Sequence, residues 1–192
     1  PRGRLVDAGA RCRVVRRAWF CTLAAAELRG DAFVVVAGGG GFMGGNRVAA
    51  VRTAGRAVSA GDIKPLDEWF QRLDDVDNVV ADLMLRKSSD VACNGADVVY
   101  QLAADMGGMG FIEHNKALCM LSVLTNTHML QAAKQAGVRR FFYSSSACVY
   151  NADKQRDVHV VALKEEDAYP ALPEDGYGWE KLFTERMCRH FT

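Results

Sequence analysis

The sequence predicts an α/β fold with a doubly wound parallel sheet. Three observations lead there. Short β-branched runs alternate with longer helical patterns from Phe33 onward, a glycine-rich turn joins the first run to the first helix, and a later strand ends in a cluster of hydroxyls. With 49% hydrophobic and 24% charged residues, the 192-residue chain has enough apolar side chain for one sizeable core, so disorder is not expected.

The elements follow in order. "AFVVVAG" is a first buried strand, and the helix after its glycine turn runs to about Thr53, with Gly55 placed to close it. "RAVSAGD" is a second strand ending at Asp62. "DNVVADL" is a third, followed by a helix reaching Asn94-Gly95, and "ADVVYQLAA" is a fourth. Residues 115–136 carry Leu118, Leu121, Leu124, Met129, Ala132 and Ala133 at helical spacing and end before Gly137, which predicts one long helix. "RRFFYSSSACVY" is a strand that runs into hydroxyls and a thiol, and "YGWEKLFTERMCRHF" is a helix after the Pro170/Pro173 turn.

A net charge of +1 with scattered basic residues gives no electrostatic footprint for nucleic acid. No apolar run reaches the roughly 18 to 20 residues that span a bilayer, so a soluble protein is expected. Six cysteines show neither C-x-x-C pairing nor a metal-ligand rhythm. No metal site is expected, and a reducing compartment, the cytoplasm, fits best. Residues 1–31 are rich in Arg and Ala and poor in acids, the composition of an extension or organellar transit segment ahead of a domain at 32–192.

"VVVAGGGGFMGG" sets Gly38, Gly41 and Gly44 in G-x-x-G-x-x-G spacing between a strand and a helix, with Phe42 and Met43 inside the fingerprint. Such glycines allow a tight turn, close approach of backbone to a pyrophosphate, and tight helix packing, with the anion on the helix N-terminus. This is the context of a Rossmann-like dinucleotide site. Asp62, ending the next strand, is placed for the adenosine ribose hydroxyls. Its carboxylate would repel a 2'-phosphate and favours NAD over NADP, while nearby Lys64 pulls the other way. Asp82, before Leu83, is placed for the adenine edge or, equally, for a solvated turn.

"YGWEK" puts Tyr177 and Lys181 on one helix face, four residues apart. An ammonium beside a phenol stabilises the phenolate and lowers its pKa from about 10, which would fit Tyr177 for acid/base work at a sugar or alcohol hydroxyl. Ser144, Ser145 and Ser146 lie at the carboxyl end of a strand, where ligands bind in open α/β sheets, and Ser146 is the natural partner for Tyr177. Cys148 is a buried small residue in the ordinary reading, or a proton carrier if its thiolate is stabilised. "LAADMGGMGFIEHN" leaves the fourth strand through glycines and methionines, and Met106 to Phe111 is expected to form a loop shaped around a ligand.

Taken together, the glycine turn, the late Asp, "SSSACVY" and Tyr-x-x-x-Lys resemble the extended short-chain dehydrogenase/reductases, the NAD-dependent sugar-nucleotide epimerases and dehydratases. "LAADMGGMGFIEHN", "FFYSSSACVY" and "YGWEKL" resemble most the branch of GDP-mannose 3,5-epimerases. The likeness runs from about Val34 to the C-terminus and is densest between Leu102 and Lys181.

This resemblance implies NAD as a tightly held cofactor and GDP-mannose or a related nucleotide sugar as substrate. It also implies a possible homodimer. Tyr177, helped by Lys181 and Ser146, would deprotonate the C4 hydroxyl while NAD takes the C4 hydride. In the resulting 4-keto sugar, Cys148 would exchange protons at C3 and C5 on one face, giving GDP-L-galactose. Gly38, Gly41, Phe42, Met43, Gly44, Asp62, Asp82, Leu83, Ala103, Ala104, Tyr177 and Lys181 would hold the cofactor. Met106, Gly107, Gly108, Ser146, Ala147 and Cys148 would meet the substrate. The family's second acid/base is a lysine in a C-terminal substrate domain expected to lie outside these residues. Two departures stand out: Ala37 replaces a usual Thr, and Leu121-Ser122 replaces an Asn pair. A 4-epimerase or 4,6-dehydratase is the nearest alternative, although "SSSACVY" lacks the acid a dehydratase wants. A non-catalytic NAD-binding protein is the reading from another class.

Overall fold

A computed structural model describes residues 32–155 and 162–191, together with the backbone of residues 11–15. The rest of the Arg/Ala-rich extension expected over residues 1–31 lies outside the described residues. Six strands form one parallel sheet: β1 (Arg11–Val15), β2 (Val34–Ala37), β3 (Val58–Asp62), β4 (Asp77–Val80), β5 (Val98–Gln101) and β6 (Arg140–Ser144). Their spatial order is β1-β6-β5-β2-β3-β4. The chain winds outward from β2 in one direction through β3 and β4, then returns to add β5 and β6 on the other side. That reversal opens a crevice at the carboxyl ends of β2 and β5, where a ligand can enter without displacing a crossover connection.

All four residues of β2 and of β5 are buried, as their unbroken apolar text requires of central strands covered on both faces. Alternate side chains feed two cores. Val35, Ala37, Val99, Phe141 and Tyr143 pack against α4 (Lys116–Gln135) through Met129, Leu130 and Ala133, with Cys93 of α2 (Arg86–Cys93) and Cys188 of α5 (Asp175–His190). Val34, Val36, Val58, Ala60, Val98 and Tyr100 face α1 (Phe42–Thr53) through Val48 and Val51, and Trp69 closes that layer. β4 lies at one edge of the sheet, with Val79 and Val80 exposed.

At the opposite edge β1 pairs with β6 in parallel register, from Arg11 opposite Arg140 to Val15 opposite Ser144. Nothing in the alternation rule anticipates a strand from that segment.

Two expectations are corrected. The loop expected from Met106 to Phe111 is shorter, because a one-and-a-half-turn helix, α3 (Met109–His114), begins after Gly108. Asn115, with φ −123° and ψ 41°, separates it from α4, which is the single long helix expected over residues 115–136. The third strand ends at Val80, and Asp82 sits in the turn beyond it.

Candidate functional site

The glycine loop is fixed by contacts that leave no room for side chains. Gly38 has φ +81°, and a Cβ there would stand 2.7 Å from the Ala103 nitrogen; one on Gly44 would stand 1.9 Å from the Gly38 carbonyl oxygen. These glycines let β2, the turn and α1 close on the β5 exit strand. Gly41 is different, since a Cβ there meets only the Gly38 oxygen at an ordinary 3.5 Å. No side chain caps the N-terminus of α1 and its first turn carries no acid, so its end remains suited to an anion. The described residues therefore fit the diphosphate of a dinucleotide. Phe42 and Met43, both largely exposed, flank that end, and Phe42 meets Phe70 edge-on with ring centroids 4.8 Å apart.

Asp62 is buried, and one carboxylate oxygen accepts the Gly40 N–H at 3.0 Å while the other accepts the Lys64 N–H at 3.1 Å. The acid thus braces the loop as well as standing beside the crevice. Behind it runs a strap that sequence reading missed. The Trp69 ring fills the space a Gly40 side chain would need, its Nε1 donates to the Lys64 carbonyl at 3.0 Å, and the Phe70 N–H donates to the Gly40 carbonyl at 2.9 Å. Its only signal in the text is an adjacent tryptophan and phenylalanine in the connection from β3 to β4.

In the turn after β4, Asp82 accepts the Met84 N–H at 2.8 Å, and the Leu83 side chain is buried in the core. Ala103 and Ala104 follow β5, half-buried, with Ala103 against Gly38. Asp105 is anchored through its N–H to the Ser122 hydroxyl at 3.0 Å, and burial followed by the Asp82 charge pushes its carboxyl up. Ser122, one of the departures from the family pattern, is thus a buried anchor, whereas Leu121 is exposed.

The second half of the site is built by α5 lying against the turn after β6. A Cβ on Gly178 would reach within 2.4 Å of the Cys148 carbonyl oxygen, and the Glu174 N–H donates to that oxygen at 2.9 Å. This close approach brings together the residues the sequence selected. Ser146 stands beside both the Tyr177 phenol and the Cys148 thiol, lowering each against the effect of burial, and its hydroxyl accepts the Cys148 N–H at 3.2 Å. Ala147 is exposed between them. Lys181 is buried and donates to the Ser144 carbonyl at 3.1 Å. Met106 reaches the cluster from the β5 side, its sulfur accepting from the Tyr177 hydroxyl at 3.4 Å. Gly107 is tight against Phe111, and Gly108 precedes α3 with nothing near its Cβ position.

The electrostatics reverse one expectation. Burial pushes the Tyr177 phenol up to about 12, and Glu180, Cys148 and Cys119 push the same way; only the neighbouring Ser146 opposes them. Lys181 does not lower it here, because its ammonium is turned to the Ser144 carbonyl and lies 5.4 Å from the Tyr177 ring centre. Burial also raises the Cys148 thiol, with Ser146 opposing and Glu174 adding to the rise. Both acids are therefore in their protonated forms at neutral pH. Sequence reading also missed Glu180, a buried carboxylate one residue before Lys181.

No helix among the described residues is long and apolar enough to cross a membrane. A family model described as "NAD dependent epimerase/dehydratase family" matches residues 34–192. The chain is 41% identical over 160 residues to "GDP-mannose 3,5-epimerase 1" of Oryza sativa subsp. japonica, covering 83% of this chain and 42% of that protein. Among solved structures, a short-chain dehydrogenase/reductase superfamily protein from Agrobacterium tumefaciens with bound NAD is 30% identical at a TM-score of 0.65, covering 82% of this chain and 44% of the other. MoeE5 in complex with UDP-glucose and NAD is 29% identical at a TM-score of 0.66, covering 83% and 49% respectively. The chain spans under half the length of the curated relatives it matches.

Proposed function

The chain belongs to the NAD-dependent epimerase/dehydratase family, and on that premise we propose that it carries the dinucleotide site and part of the sugar site of a GDP-mannose 3,5-epimerase. The observation that carries this reading is the gathering of the Tyr177 phenol and the Cys148 thiol around Ser146, which accepts the Cys148 N–H and lowers the pKa of both groups, where α5 closes on the turn at Cys148. A single-site hydroxyl oxidation needs only the first of these groups. The thiol adds a second proton carrier beside it, as an epimerisation at a neighbouring carbon requires.

Gly38, Gly41, Gly44 and Asp62 hold NAD in this reading, with Phe42, Met43, Asp82, Leu83, Ala103 and Ala104 along the crevice. When bound, NAD supplies the reversible hydride acceptor that makes the overall reaction redox-neutral. Tyr177 takes the proton of the sugar C4 hydroxyl, Ser146 orients that hydroxyl, and Lys181 contributes the nearby positive charge. With C4 at the ketone level, hydrogens at C3 and C5 are acidic, and Cys148 exchanges them on its face of the ring. Met106, Gly107 and Gly108 lie over the sugar side, where Met106 gives up its contact with Tyr177 to the substrate.

A homodimer fits the exposed Leu118, Leu121 and Leu124 of α4 beside Trp179 and Phe183 of α5, an apolar surface large for a monomer to leave uncovered. Among the described residues Cys93, Cys119, Cys148 and Cys188 are free, which suits a reducing compartment such as the cytoplasm.

The test follows deuterium from solvent into C3 and C5 of GDP-mannose by NMR, with NAD added. It uses the protein carrying the further C-terminal length its relatives have. Exchange that disappears in Cys148→Ala while NAD still binds supports the reading. Absence of exchange in the unaltered protein, or persistence of it in Cys148→Ala, overturns it.

A further inference from the structure

Lys181 is a buried cation, and the groups around it come from three elements. On α5 they are Glu180 and Tyr177; on β6 they are the Tyr143 ring, 4.9 Å from the ammonium, and the Ser144 carbonyl; after β6 comes the Cys148 thiol. Glu180 is the one carboxylate among them. Its Oε2 stands 4.0 Å from the Lys181 Nζ and is a fully buried atom with no hydrogen-bond partner. The other oxygen is oversupplied. It accepts from the Tyr143 hydroxyl at 3.0 Å, from the Thr184 hydroxyl at 3.3 Å and from the Asn126 amide, and Asn126 in turn accepts from Gln101 of β5 at 2.8 Å.

With three donors on Oε1, a proton could sit only on Oε2, where it would have no acceptor and would face the Lys181 ammonium at 4.0 Å, so the carboxylate is favoured over the acid. Burial pushes the two groups toward neutrality, the carboxyl up and the ammonium down, and each is the other's main opposing charge. Removing one partner of such a pair leaves an uncompensated buried charge.

We propose that Glu180 is a positioning residue: its carboxylate is the counter-ion that keeps Lys181 charged and held against the Ser144 carbonyl beside Tyr177. The Asn126–Gln101 link ties that carboxylate to the strand whose end forms the cofactor crevice. The inference rests on Tyr177 and Lys181 acting together in the reaction proposed above, but the pairing itself is measurable without turnover.

Two measurements test it on the cofactor-free protein. The first follows the side-chain carbon resonance of labelled Lys181 against pH, with Lys181→Arg to assign it. In folded Glu180→Gln, the lysine titrates lower by about one pH unit or more, a tenfold change in its protonation equilibrium, and Glu180→Asp recovers part of the shift. A Lys181 titration unmoved in folded Glu180→Gln overturns the proposal. The second is a double-mutant cycle on thermal unfolding with Glu180→Gln, Lys181→Met and both together. If Glu180 serves the charge, the double variant is more stable than the sum of the two single losses. Additive losses would assign Glu180 only to the Tyr143, Thr184 and Asn126 bonds and overturn the proposal, even if Glu180→Gln alone is too unstable to titrate. Failure of the epimerase reading would leave both results standing.

Discussion

The Tyr177 hydroxyl donates to the Met106 sulfur at 3.4 Å, joining α5 to the turn that leaves β5. More than half of the methionine is exposed, yet it covers a tyrosine that is 5% exposed. A flexible thioether is a weak acceptor in that place. A ligand hydroxyl is a better one, so the contact marks where the phenol points when it works.

The covered phenol titrates late. Tyr177 is pushed up to about 12 by burial, above the ordinary tyrosine value of about 10. The native state therefore holds the proton more tightly than the unfolded chain does. Its stabilising contribution is complete below about pH 10 and is lost as pH rises through about 12. Ultraviolet difference titration of the native protein against Tyr177→Phe should lose a phenolate component near 12. Loss of a component near 10 would contradict the burial argument.

Two glycines of the fingerprint should separate folding from binding. Gly44→Ala forces a Cβ to within 1.9 Å of the Gly38 oxygen, whereas Gly41→Ala makes only a 3.5 Å contact. The first should cost about 2 kcal/mol or more by overpacking and abolish NAD binding. The second should leave the melting temperature unchanged and weaken NAD by about tenfold, the loss of close backbone approach. Thermal unfolding and calorimetric titration read both. Equal melting temperatures in the two variants would refute the assigned geometry.

Trp69 should matter to the cofactor without touching it. Its ring lies against Gly40 and its Nε1 holds the Lys64 carbonyl at 3.0 Å. Trp69→Ala should cost about 3 to 5 kcal/mol through the cavity it leaves and lower NAD affinity more than tenfold. Trp69→Phe should recover most of the stability. An Ala variant with unaltered NAD affinity would show that the loop holds its shape unaided.

Thiol labelling should distinguish Cys148 from its neighbours. Cys93, Cys119 and Cys188 are buried, and burial raises Cys93 to about 12, whereas Cys148 is partly accessible, its thiol raised by burial but opposed by Ser146. Iodoacetamide on the native protein, read by peptide mass spectrometry, should modify Cys148 first of these four. Its rate should climb with pH past the range of a free thiol, because only the thiolate reacts. Denaturation should bring the other three to comparable rates. Native labelling of Cys93 ahead of Cys148 would overturn this order.

Much of the site was legible because its signals are local. A glycine at a fixed offset, an acid at a strand end and a tyrosine four residues before a lysine each state a geometry that one turn or one strand imposes. The Tyr-Lys helix, the Ser146–Cys148 turn and the glycine fingerprint lie where those offsets put them. Glu180 and Trp69 carried no such mark. Glu180 is one of many helix acids until β6 and α4 cover it with Tyr143 and Asn126. Trp69 reads as a stray aromatic until residues 64–71 fold back beneath Gly40.

The sequence by itself determined the alternation of strands and helices, the parallel sheet, the glycine turn and the side chains that gather around Ser146. These follow from period, turn chemistry and spacing, which act over a few residues. Tertiary structure alone decided how those side chains are charged and supported. Tyr177 is raised where the i, i+4 lysine predicts it lowered, because burial outweighs the pair and the ammonium is committed to the Ser144 carbonyl. It likewise decided that α3 interrupts the expected loop and that Arg11–Val15 adds the strand beside β6. Desolvation and strand pairing depend on what distant segments bring to the same place, and no local pattern records that.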